Sequence, residues 1–212
     1  TAAYGTIIAE GKSKTKIVIG RDGRISGPMV QSLVVNTLVA LGIDVVDLGA
    51  STTPTVEVAV TMEKADGGII LTASHNPKEW NALKLLNNEG EFISAQTGAK
   101  VLELAAKEEF SFASVDKLGT VTVDETYLQK HIDTILDYPL VDVKTIKKRK
   151  YKVVVDAINS TGAVFVPAML KALGVDNVIV LNAEVNGKFA HNPEPLPEHL
   201  TELCSEVVKQ KA

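Results

Sequence analysis

Apolar and polar positions along the 212-residue chain fall into two alternating patterns. The runs "KIVIG" (Lys16 to Gly20), "IDVVDLG" (Ile43 to Gly49) and "GGIILT" (Gly67 to Thr72) are short, continuously apolar and closed by glycine or polar residues. Such runs predict strands buried on both faces. The stretches between them have a helical period. "PMVQSLVVNTLVALG" places Met29, Leu33, Asn36, Val39 and Ala40 on one face and stops at Gly42, a C-terminal cap. "PTVEVAVTMEKA" opens with Pro54 in a first-turn position and predicts a second helix. The opening "TAAYGTIIAEG" reads as the tail of an amphipathic helix ending at Gly11. Strand and helix in this alternation predict an α/β layer with a largely parallel sheet.

Further along, "NALKLLN" predicts another strand, and a helix follows over about 96–108. "GTVTV" (Gly119 to Val123) predicts a short edge strand, followed by a helix over about 125–136. "DYPLVDVKTIKKRK" reads as a boundary segment, and its Lys147, Lys148, Arg149 and Lys150 as a solvated linker. The alternation then restarts: "YKVVVDAIN" as strand, "TGAVFVPAMLKALG" as a helix broken or started near Pro167, "DNVIVLN" as strand, and a helix from Glu198 to about Lys209. The predicted fold class is a three-layer α/β/α domain with a mixed, largely parallel sheet over residues 1–124. A linking helix, a linker and a second, incomplete α/β domain occupy residues 125–212. Both ends read as cut, which makes the chain an expected fragment.

Composition narrows the function classes. Hydrophobic residues at 45% support a sizeable core, and 22 basic against 26 acidic residues leave a net charge of −4. That balance argues against a nucleic-acid partner, and the basic run has no interleaved aromatic residues on which bases could stack. One cysteine, Cys204, excludes an internal disulfide and fits a reducing, cytoplasmic setting. No stretch has the length and apolarity of a membrane span, and no charged-then-apolar leader is visible.

Three candidate motifs remain. "GRDGRISG" (Gly20 to Gly27) follows a strand and precedes a helix, as phosphate-binding loops do. Its glycines do not fit G-x-G-x-x-G, so a dinucleotide site with Asp44 or Asp47 on the ribose is disfavoured. Either Arg21, Asp22 and Arg24 pair with one another, or the arginines hold an anionic ligand. "GTIIAEGKS" carries one residue too many for a Walker A loop and comes off a helix. "TASHNPKEWNALK" (Thr72 to Lys84) puts a serine and a histidine at a strand end. It is not a G-x-S-x-G elbow. Adjacent side chains diverge in extended backbone, so His75 is not expected to be the base for Ser74. Ser74 suits a carried phosphoryl group better than ester attack, with His75 as general acid or base toward substrate. Asn76-Pro77 would set the turn and Lys84 would face the phosphoryl oxygens. The competing reading is a polar loop in which Ser74 merely caps a backbone group.

Taken together, "GRDGRISG", the "TPT" after a strand, "GGIILTASHNPKEWNALKLLN", "VVVDAINSTG" and "NPEPLPEHL" resemble the α-D-phosphohexomutase family, which includes phosphomannomutase/phosphoglucomutase and phosphoglucosamine mutase. The resemblance runs through the whole chain and rests most heavily on Thr-Ala-Ser-His-Asn-Pro. It implies that Ser74 is the phosphoserine that donates to a hexose phosphate and recovers a phosphoryl group from the bisphosphorylated sugar. The implied catalytic residues are Ser74, His75 and Lys84; the implied substrate-binding residues are Arg21, Arg24 and Asn76. Phosphoserine 74 would also ligate Mg2+, whose remaining ligands are expected beyond Ala212. A hexose bisphosphate is the expected activator, with no cofactor held by these residues alone. The partners implied are a small phosphosugar and the missing C-terminal domains, with neither nucleic acid nor membrane. Without the family's Gly-Ile-Arg-Gly loop, its aspartate-rich metal loop and its third and fourth domains, these residues are expected to lack mutase turnover. Phosphoglucosamine mutase, or a non-catalytic sugar-phosphate-binding module, are the alternatives.

Overall fold

The computed structural model describes all residues, 1–212. The chain divides into two compact units. The first comprises residues 1–21, 26–72 and 82–127; the second comprises 22–25, 73–81 and 128–212.

The first unit is built on five strands: β1 (Lys16–Arg21), β2 (Asp44–Ala50), β3 (Gly67–Leu71), β4 (Leu83–Leu86) and β5 (Val121–Val123), in the order β4-β3-β1-β2-β5. β1 pairs in parallel with both β2 and β3, β5 joins β2 in parallel, and β4 runs antiparallel to β3. Alternation along each strand sorts the core into two layers. Ile17, Ile19, Val45, Ile69 and Leu71 face the helices α1 (Ala2–Ala9), α2 (Gly27–Ala40) and α4 (Ala95–Lys107). Val18, Val46, Leu48 and Ile70 face α3 (Thr53–Met62). The chain leaves β1 toward β2 on one side and returns to β3 on the other, so strand order reverses at β1. Open α/β sheets bind ligands beyond the carboxyl ends of strands at such a point. The two loops that leave β1 and β3 there, 22–25 and 73–81, are the two pieces that belong to the second unit.

α2 corrects the sequence expectation. Its buried row is Gly27, Gln31, Val34 and Leu38, whereas Met29 and Leu33 stand about 60% exposed and Asn36 is exposed as well. Valine and leucine surround this helix, so apolar periodicity does not select a face. A polar contact does, because Gln31 bridges Arg21 Nε (2.8 Å) and the Asp47 carboxylate. Gly42 does cap the helix. With φ +79 it lets Ile43 N–H reach Leu38 O and its own N–H reach Val39 O, the paired bonds of a Schellman motif. α1 stops at Ala9, two residues short of Gly11. Tyr4 anchors it: fully buried, the phenol donates to Leu86 O (2.6 Å) and Gly68 O (3.1 Å) across the sheet.

The second unit carries a two-stranded parallel sheet of β6 (Lys152–Asp156) and β7 (Asn177–Leu181). Around it lie α6 (Val143–Arg149), α7 (Gly162–Ala172) and α8 (Thr201–Gln210); α5 (Tyr127–Leu136) contributes from residue 128 onward. The basic run expected as a linker is the last turn of α6, capped by Asp142, whose side chain accepts from Thr145 N–H (3.0 Å). Cations in a last turn complement the helix dipole, which is why the run folds. α7 is not broken at Pro167. It ends as α2 does, with Gly174 at φ +84 and Val175 N–H on Leu170 O (2.9 Å). The two helices share the ending Ala-Leu-Gly-(Ile/Val)-Asp. The segment expected as a helix from Glu198 is a 3₁₀ turn over Pro197–His199 followed by α8. No helix is long and apolar enough to cross a membrane.

Candidate active site

The serine loop is built around one buried cation. Arg24 is 1% exposed. Its Nη1 donates to Pro77 O (2.7 Å) and Trp80 O (2.8 Å), and its Nη2 donates to Ser74 O (2.9 Å) and Asn76 O (2.8 Å). Nε donates to the Asp22 carboxylate at 3.1 Å. A guanidinium has five N–H donors in a planar fork, so every one is occupied. The ring of Phe189 lies over the same group, 5.2 Å from Cζ to centroid, which adds a cation–π contact. Arg24, expected at the substrate, thus spends its five side-chain N–H groups on Asp22 and the loop's carbonyls. The expected pairing of Arg24 with Asp22 is present, and Arg21 Nε donates to Gln31 Oε1 at 2.8 Å in the first unit.

Loop 22–25 is held by the rest of the second unit as well. Gly23 N–H donates to Ser160 Oγ at 3.2 Å. Gly187, at φ +68, packs so closely that a Cβ there would lie 2.3 Å from Gly23 O, so only glycine fits both the backbone and the space.

Ser74 stands exposed at the loop tip with φ +55. For a residue other than glycine this left-handed conformation is uncommon, and it clusters at functional positions. Asn76 closes the turn, with its backbone N–H (3.0 Å) and its side-chain amide (2.9 Å) both donating to Ala73 O. The left-handed turn also overturns the expectation that Ser74 and His75 diverge. That argument assumed extended backbone; here Ser74 Oγ lies 3.4 Å from His75 Nδ1. On the far side of the ring, His75 Nε2 is 3.0 Å from Glu194 Oε2. A carboxylate only accepts, so a proton sits on Nε2; in the neutral ring the Nδ1 lone pair then faces the serine.

Glu194 comes from a loop that is itself fixed. His191 Nε2 meets Asp156 Oδ2 and His191 Nδ1 meets the Asn192 carbonyl, both at 2.8 Å. Both ring nitrogens face acceptors, so His191 carries two protons. Burial works against that charge, but the bonds to Asp156 and Asn192 outweigh it and raise the His191 pKa. Burial likewise pushes the Asp156 carboxyl up, yet its bonds from His191, Asn182 and the Ile158 N–H hold it below its ordinary value.

Lys84 lies on β4 in register with Ile70, with its ammonium 5.6 Å from the centroid of Phe92. Lys84 and Arg21 belong to the first unit; Ser74, His75, Asn76 and Arg24 come together in the second. Asp44 and Asp47 have structural partners: Asp44 accepts from Thr120, and Asp47 from Gln31 and the Gly49 N–H. For magnesium, Ser74 supplies one oxygen, and no group of three His, Cys, Asp or Glu side chains forms a metal site. One hydroxyl does not fit a divalent-ion site, so no step below is routed through the ion. Glu194, Ser160 and Phe189 were missed from sequence because nothing local links them to the serine motif. The motif-like segments "NSTG" and "NPEP" were the available signals.

A family model described as phosphoglucomutase/phosphomannomutase, alpha/beta/alpha domain I, matches residues 1–112, and its domain II counterpart matches residues 129–212. The phosphoglucomutase/phosphomannomutase of Thermococcus kodakarensis is 39% identical over 209 residues, covering 98% of this chain and 45% of that protein. The phosphoglucosamine/phosphogalactosamine mutase of Sulfurisphaera tokodaii is 35% identical over 209 residues, covering 98% of this chain and 44% of its own length. An X-ray structure of a phosphoglucomutase/phosphomannomutase family protein from Burkholderia thailandensis matches with a TM-score of 0.82 at 27% identity, over 100% of this chain and 45% of that one. The chain thus spans less than half the length of these relatives. With the two domain matches following one another along the sequence and the serine motif inside the first, the chain belongs to the phosphoglucomutase/phosphomannomutase family.

Proposed function

We propose that this chain carries the phosphoryl-accepting serine of a phosphohexose mutase, an isomerase that moves a phosphoryl group between O1 and O6 of a hexose phosphate. The observation that carries the reading is Ser74: left-handed, exposed, and 3.4 Å from His75 Nδ1 in a loop whose carbonyls are gathered on buried Arg24. Phosphoryl transfer demands positioning more than covalent chemistry from the protein, and this loop is held from several directions.

In the transfer to the enzyme, Ser74 Oγ bonds to phosphorus of a hexose bisphosphate while the bond from phosphorus to the sugar oxygen breaks. The Ser74 proton passes to His75 Nδ1, and His75 returns a proton to the departing sugar oxygen. Catalytic hydrogen bonds are often long before substrate arrives, which accommodates the 3.4 Å separation. Microscopic reversal sends the phosphoryl group back to the other sugar hydroxyl. Lys84 enters this reading through the motif, as the positive charge for the phosphoryl oxygens. Magnesium, when bound by the family's full set of ligands, would add charge neutralisation. A phosphosugar is the donor this reading requires for labelling of Ser74, and the C-terminal domains of the longer relatives are its partners in full turnover. These 212 residues alone are therefore expected to accept a phosphoryl group without mutase turnover.

Incubation with α-D-glucose 1,6-bisphosphate followed by peptide mass mapping tests the reading. A phosphoryl group on Ser74, absent from Ser74→Ala, is the expected result. Persistent absence of label on the wild-type serine, or label placed elsewhere, would remove the phosphoryl-carrier role.

A further inference from the structure

We propose that Glu194 is the positioning residue for His75, holding the ring so that its Nδ1 lone pair faces Ser74; the inference rests on the phosphoryl-carrier reading for its purpose but not for its geometry. Three side chains are in succession, Ser74 Oγ, His75 and Glu194 Oε2, with separations of 3.4 and 3.0 Å at the two ring nitrogens. A hydroxyl, an imidazole and an orienting carboxylate in that order is the arrangement by which a histidine is kept in one tautomer and one ring orientation.

The carboxylate is placed by construction. Glu194 sits between Pro193 and Pro195, which restrict its backbone. Its N–H donates to Asn192 Oδ1 (3.0 Å), and its carbonyl accepts from Leu196 N–H (2.8 Å) and meets His199 Nδ1 (2.7 Å). Upstream, the doubly protonated His191 ties the same loop to Asp156 at the end of β6. The His75 side chain is 54% exposed and would otherwise sample several rotamers, because few apolar contacts restrain an exposed ring. A carboxylate on a braced loop limits that freedom.

The experiment is long-range ¹H–¹⁵N NMR of the histidine rings in this 212-residue chain, combined with the rate of Ser74 labelling by α-D-glucose 1,6-bisphosphate. In the wild type the His75 Hε2 proton is expected to be observable and slow to exchange. Glu194→Ala should lose that signal and slow labelling roughly ten- to a hundredfold, and Glu194→Asp should recover part of both. A signal that survives Glu194→Ala, or equal labelling rates in the two proteins, overturns the proposal. If Ser74 takes no label in any variant while Hε2 is lost in Glu194→Ala, the positioning contact stands and the phosphoryl-carrier reading is the one that fails. Far-ultraviolet circular dichroism and the His191 ring signals report whether a variant has simply unfolded the loop.

Discussion

The guanidinium of Arg24 donates to the carbonyl oxygen of Ser74 at 2.9 Å, from a side chain with no exposed surface. The proposed phosphoryl carrier is thus held through its backbone carbonyl. Arg24→Lys keeps the charge but replaces a planar five-donor fork with three donors on one atom. It cannot serve Asp22 and four carbonyls at once. The expected cost is about 3 kcal/mol in the second unit, with faster hydrogen exchange at the Asn76 and Trp80 amides. If those amides exchange at wild-type rates, the clamp does not order the loop.

Ser74 at φ +55 makes a separate prediction. Glycine adopts this conformation freely, whereas a β-branched residue does so only with strain of roughly 1–2 kcal/mol. Ser74→Gly should match or slightly exceed wild-type stability while losing phosphoryl acceptance. Ser74→Val should lose both stability and acceptance. Urea midpoints for the pair check this, and identical midpoints would mean that the serine is not held in the left-handed region.

In the first unit, Tyr4→Phe removes one buried hydroxyl and leaves the Leu86 and Gly68 carbonyls without that donor. The expected loss is about 1–2 kcal/mol, or roughly 2–8 °C in Tm at about 2–4 °C per kcal/mol. Burial raises the Tyr4 pKa well above its ordinary value, and burial with the Glu63 bond does the same for Tyr127. Alkaline difference spectra should show neither phenolate forming before the protein unfolds.

Stability of the second unit should vary with pH in two opposed ways. His191 has a raised folded pKa, so its contribution is complete below 6.5 and disappears as pH rises through that raised value. Asp156, held low, contributes above 3.8 and loses its contribution as pH falls through its folded pKa. His131 behaves oppositely to His191. It is buried against the ring of Phe165, 5.1 Å between centroids, and burial lowers its pKa. Its contribution is present above 6.5 and is lost as the medium becomes more acid. His191→Gln should flatten the alkaline side of the denaturation profile and His131→Phe the acid side. A profile unchanged by either variant would contradict the assigned protonation states.

The legible part of this protein was what repeats locally. Continuous runs such as "GGIIL" announced the strands, the glycines after Leu41 and Leu173 ended their helices, and the Thr-Ala-Ser-His-Asn-Pro motif located the site. The illegible part depended on contacts distant in sequence. The pairing of Arg24 with Asp22 could be read locally, but its other partners are carbonyls 50 to 56 residues away, which carry no side-chain signature. The buried face of α2 was set by the Gln31 bridge, which a hydropathy period counts as a polar defect. His75 could not be matched with Glu194 from spacing at all. Pro167 also misled, because a helix tolerates its missing N–H when the surrounding packing holds the turn.

The discontinuous second unit has a consequence for synthesis. The bond from Gly23 N–H to Ser160 Oγ spans 137 residues. A ribosome releases the Arg24 and Ser74 segments well before Ser160, Phe189 and Glu194 emerge, so the serine loop waits unfinished until they do. Chain order and assembly order differ here: the serine is made well before the residues that complete its setting. Nascent chains arrested before residue 160 should present a loop 73–81 that is open to proteolysis, and chains arrested with residues 128–212 clear of the tunnel should not.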